Sequence, residues 1–113
     1  MKKLLKEWQH RLGLDDWHIA LNANAIPSDF EEPDRQGECT YGYVGKDAMI
    51  LILDEKYYGK RVVPQDKEKT LVHELLHCKF CLLNESENPL QNMVVHQLID
   101  DLAKAFVKAK RGE

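Results

Sequence analysis

The chain has 113 residues, of which 43% are hydrophobic and 31% charged, with a net charge of −3. That composition suits one globular domain with a small core. The mild acidic balance gives no footprint for nucleic acid or an anionic membrane surface. The longest apolar run, Ala48 to Leu53, is far short of the roughly 20 residues that span a bilayer.

Met1-Lys2-Lys3-Leu4-Leu5 opens like a secretion signal, but Lys6, Glu7, Gln9, His10 and Arg11 break any apolar stretch. The three cysteines, Cys39, Cys78 and Cys81, are an odd number. The expectation is therefore a cytoplasmic chain with reduced thiols.

Leu4, Leu5, Trp8 and Leu12 repeat at helical spacing, which predicts an amphipathic helix over Lys2 to Leu12 capped by Gly13. Trp17 to Ala25 alternates apolar and polar residues, as a half-buried strand does. Pro27 to Gly37 is acidic and turn-rich and reads as a surface loop. A second strand is expected over Glu38 to Val44, closed by Gly45-Lys46-Asp47. Ala48 to Leu53 follows as a strand buried on much of both faces.

Pro64 sits where helices begin, and Gln65 to Leu83 reads as the long central helix. After a break at Asn84 to Pro89, a last helix runs from Leu90 to Lys110. Its expected buried stripe is Val95, Leu98, Ile99, Leu102 and Phe106. The basic residues Lys104, Lys108, Lys110 and Arg111 suit the solvated end of that helix. The predicted class is α+β: a small antiparallel sheet, a central helix, an N-terminal helix and a long C-terminal helix.

The chemistry lies in His73-Glu74-Leu75-Leu76-His77. Residues four apart share a helix face, so His73 and His77 can aim two imidazoles at one metal ion. Glu74 lies beside the first of them, where a carboxylate can take a proton from water that zinc has acidified. This is the His-Glu-x-x-His arrangement of zinc peptidases.

A catalytic zinc usually takes three protein ligands and keeps a fourth position open. His96, on the following helix, is the first choice for the third, with Glu87 and Glu85 in the connecting loop as alternatives. Asp100, four residues beyond His96, could accept a ring N–H from His96 or from a motif histidine. Cys78 and Cys81 form a Cys-x-x-Cys pair with no second pair to complete a structural zinc site. Small packing residues are the simpler reading.

The chain resembles the small zincin-like metallopeptidases of bacterial and phage-related genomes, close in plan to minimal gluzincins. The resemblance runs through Leu12-Gly13-Leu14-Asp15-Asp16-Trp17, Met49 to Asp54, Leu71 to His77 and Val94 to Ala103. Only the His-Glu-x-x-His element is specific. No glycine and third histidine follow His77 at metzincin spacing, where Cys78 to Leu83 runs instead.

The resemblance implies that Ala48 to Asp54, with Met49, Ile50, Leu51 and Ile52, is an edge strand that pairs with extended peptide substrate. In gluzincins the third ligand is a glutamate four residues before an aspartate; the matching position here carries His96 before Asp100. Tyr57 and Tyr58 would be candidates for a transition-state donor. The implied function is zinc-dependent hydrolysis of peptides or proteins, with Glu74 as base. The alternative is a zinc-binding regulatory or interaction module that no longer cleaves. Nothing in the pattern sets an oligomeric state.

Overall fold

The first helix, α1 (Lys2–Arg11), stops where Gly13 takes a φ of +71°. This left-handed residue lets the Leu14 N–H donate back to the Gln9 carbonyl at 2.7 Å, closing the helix at the expected glycine. The buried Gln9 amide donates to the Leu14 and Trp17 carbonyls at 3.1 and 3.0 Å, tying the turn to β1 (His18–Ala25). Then come β2 (Gly37–Gly42), β3 (Asp47–Leu53), α2 (Lys67–Lys79) and α3 (Pro89–Arg111). The structure, a computed structural model, describes residues 1–83 and 87–113. Among the described residues, no helix is long and apolar enough to cross a membrane.

The architecture is α+β, but the three-stranded sheet is mixed, with order β1-β3-β2. Strand β2 runs antiparallel to β3, whereas β1 runs parallel to it. Residues 26–36 carry the chain across one end of the sheet and leave a gap one strand wide. The turn after β2 then folds β3 back into that gap. Alternation of side chains reports which face is buried and carries no information on strand direction, so the antiparallel expectation fails here.

Strand β3 is buried on much of both faces, as expected. Ala48, Ile50 and Ile52 are buried toward α2, while on the other side Leu53 is buried with Ala25 and Phe30, Leu51 is half-buried and only Met49 is exposed.

Helix α2 starts later and ends earlier than its periodicity predicts. Asp66, not Pro64, is the cap, accepting from the Lys69 N–H at 3.1 Å. Gln65 stays outside the helix and donates its amide to the Leu53 carbonyl. The helix ends at Lys79, with a turn through Cys81 to Leu83, so His77 sits in its last turn. Leu71, Val72, Leu75, Leu76 and Cys78 are buried around most of its circumference, because α2 lies between the sheet and the other helices.

Helix α3 buries Val95, Ile99, Ala103 and Val107, an exact four-residue repeat. Leu98 and Phe106, expected in the stripe, are 44% and 37% exposed, and Leu102 lies at its edge. A large side chain outweighs a small one in any periodicity reading, so Ala103 is overlooked although close helix packing favours it.

At the far end from the turn, three helices meet in a polar clasp. The Trp8 indole N–H donates to Glu68 Oε2 at 2.8 Å, and Lys110 pairs with the same carboxylate. Arg111 makes a forked contact with Asp66 at 2.8 and 3.0 Å. The repeat on α3 gives a direct test. Ile99→Ala should cost about 2–5 kcal/mol in urea unfolding, the range for emptying a buried aliphatic site. Leu98→Ala should cost well under half as much.

Candidate metal centre

His73 and His77 leave α2 one turn apart, and His96 reaches them from α3. The ring centroids are 5.1 Å apart for His73 and His77, 5.3 Å for His73 and His96, and 5.8 Å for His77 and His96. One nitrogen from each ring lies within 4.8 Å of the others. Bonds of about 2.0–2.1 Å to a tetrahedral zinc would draw such nitrogens to roughly 3.4 Å apart, a small closing movement of three side chains. Three imidazoles with room for a fourth ligand are a donor set that zinc accepts.

Burial, and then the charges of His77 and His96, push the His73 imidazole down to about 4. It is therefore neutral at physiological pH, with its lone pair free. Its Nδ1 stands 3.6 Å from Asp100 Oδ1, beyond a normal hydrogen bond, while Lys104 holds the other oxygen of Asp100 at 2.9 Å. Asp100 is thus placed beside a motif histidine, with Nε2 of that ring left for a metal. Glu87 is exposed and outside the histidine group, and Glu85 lies outside the described residues.

Glu74 is 6% exposed and is the one carboxylate in the buried class among the described residues. Burial pushes it up to about 8; Arg35 pulls it down and Glu38 adds to the rise. Strand β2 covers it. A Cβ on Gly37 would stand 2.6 Å from Thr70 Cγ2 and 2.8 Å from Glu74 Oε2, so any side chain there would have to push these two aside. Thr70, Glu74 and Cys78 follow one another at four-residue spacing along the face of α2 that meets Gly37 and Cys39 of β2. A cleft of about 650 Å³ opens over this contact, and Arg35, Gly37, Glu38 and Lys69 line it together with Glu74 and the three histidines.

The other expected residues are elsewhere. Met49, Ile50, Leu51 and Ile52 belong to the central strand, whose two edges are taken by β1 and β2, so no peptide strand can be added there. Tyr57 and Tyr58 do not line the cleft. The Tyr58 hydroxyl instead donates to the Val63 carbonyl at 2.6 Å, and Arg61 stacks on its ring. Arg35, Gly37 and Glu38 were not singled out by the sequence, because they lie in and just after a loop with no periodicity. The glycine just before the expected strand was the one available signal of a close approach.

Two measurements test this centre. Protein purified without chelator should carry about one zinc per chain, and His73→Ala or His77→Ala should lose it. His96→Ala should weaken binding strongly, Asp100→Ala by about 10–100-fold, and Glu87→Ala hardly at all. Metal content by mass spectrometry and zinc titration read both.

The second concerns stability without metal. The folded chain holds the Glu74 proton up to about pH 8 and the unfolded chain releases it near 4.5. The resulting penalty is absent below the lower value and grows as pH rises toward the upper one. Chelator-treated Glu74→Gln should therefore be more stable than the parent at about pH 7, by on the order of 1–3 kcal/mol. That advantage should disappear in mild acid. Comparison of the chain with protein-family models, with curated proteins and with solved structures finds no match.

Proposed function

We propose that the chain is a zinc-dependent peptidase of zincin-like plan. The observation that carries this reading is a buried Glu74 carboxylate that lines the same open cleft as three converging histidines. A buried carboxylate with no cation bonded to it costs stability, and such groups concentrate where chemistry needs them. His73, His77 and His96 would hold the metal, and Asp100 would steady the His73 ring.

When bound, zinc would supply a Lewis acid that acidifies water and polarises a carbonyl. Glu74 accepts the proton of the attacking water and returns it to the departing amine nitrogen. The Gly37 contact restricts where its carboxylate can move. Arg35 and Lys69 line the same cleft, and their positive charge would favour negative charge developing on a substrate oxygen there. The sheet order leaves the outer edge of β2 without a strand partner, next to the cleft. An extended peptide would add there, and not to β3.

The test is Glu74→Gln in zinc-loaded protein. Zinc content should be unchanged while hydrolysis of a responsive peptide, found by screening a mixed peptide library, falls by about 100-fold or more. A variant as active as the parent removes Glu74 as base. A parent that carries zinc and cleaves no library peptide favours the non-catalytic module.

A further inference from the structure

The contact between β2 and α2 that covers Glu74 carries a second pair of reactive groups one helical turn away. Cys39 points from β2 and Cys78 from α2, and their sulfurs are 3.6 Å apart. Neither is in a disulfide. Cys81, the other half of the Cys-x-x-Cys pair, lies beyond the end of α2, partly buried against the core. The sequence spacing would pair Cys78 with Cys81, whereas the fold brings it to Cys39.

We infer that Cys39 and Cys78 form a reversible disulfide that clamps β2 to α2 and fixes the width of the cleft. Closing the sulfurs from 3.6 Å to the roughly 2.05 Å of a disulfide needs a shift well within side-chain rotation and a small strand movement. Gly37 and Cys39 are two residues apart on one face of β2, as Glu74 and Cys78 are four apart on one face of α2. A bond at the second pair therefore sets the separation at the first.

The oxidant is a hydroperoxide. The Cys39 thiol, the more accessible of the two, takes oxygen from it to give a sulfenic acid and releases an alcohol, or water from hydrogen peroxide. The Cys78 sulfur then attacks Cys39, forming the S–S bond and expelling water. A small dithiol reverses the change by two thiol–disulfide exchanges, leaving two thiols and its own disulfide. The Cys78 thiol beside it, together with burial, holds the Cys39 thiol far above its usual range.

The inference does not depend on the metal or on peptidase activity, and its test uses neither. Full-length, chelator-treated protein is exposed to hydrogen peroxide, its remaining thiols are alkylated, and tryptic peptides are mapped by mass spectrometry. Cleavage after Lys79 separates Cys78 from Cys81, so the two partners of Cys78 are distinguishable. The expected product is one intramolecular Cys39–Cys78 link, still formed in Cys81→Ser and lost in Cys39→Ser. The linked parent should gain roughly 10 °C in Tm, reversed by dithiothreitol, with slower amide exchange across β2. A Cys78–Cys81 link, a link between chains, or over-oxidised Cys39 without a link would each overturn the clamp. So would a Cys39–Cys78 link that leaves Tm and exchange unchanged. The mapping is made on the parent chain, so a variant that fails to fold does not affect the result.

Discussion

Helix α2 is held on one side by the sheet, on another by α3, and at its start by α1 through the Trp8–Glu68 contact. Its side chains must therefore be apolar around most of the helix, and Leu71, Val72, Leu75, Leu76 and Cys78 are. The polar residues His73, Glu74 and His77 are confined to the sector where β2 and α3 part to leave the cleft. Position along the helix matters as well. The clasp of Asp66 and Glu68 with Lys110 and Arg111 fixes the first turn. The histidines occupy the later turns, where a rigid helix presents them without a fitted loop.

The nearness of β2 sets the electrostatics of that sector. Gly37 brings backbone within contact distance of Glu74, excludes water from one side of the carboxylate and leaves it as a group that resists ionising. Burial, and after it the neighbouring His77 and His96, depresses the His73 imidazole, since removing water disfavours the charged form of either group. The two act together. A neutral imidazole offers a lone pair, and a carboxylate that favours its proton can hold one and give it up. A divalent cation among the histidines would draw the carboxylate back toward its charged form. The arrangement thus costs the metal-free fold stability in a way that a bound cation would offset.

The sheet order has consequences for both the fold and the cleft. With β3 in the middle, the most apolar strand is used for the core, and Ile50 and Ile52 seal the floor under α2. The more polar strand β2 is left at the edge, beside the cleft. Strand β2 carries glycine at both ends and Glu38 near its start. Its turn-side neighbours Tyr43 and Val44 are exposed.

Local sequence determined the elements and the nucleus of the candidate site. Helix and strand periods, Gly13 and the His73-Glu74-x-x-His77 spacing are properties of neighbouring residues, and a helix turns spacing into a shared face without help from the rest of the chain. That His96 would approach the two motif histidines was legible to the extent that one histidine on a following helix has few places to go. Tertiary structure decided what depends on direction and distance between segments. It placed β3 at the centre and β2 at the edge, moved the stripe of α3 to Ala103 and Val107, and took Tyr58 away to Val63. It also set Gly37 against Glu74 and Cys39 beside Cys78. Residues 39 apart have no local signal to bind them; their meeting follows from how a strand crosses a helix, and packing alone fixes that crossing.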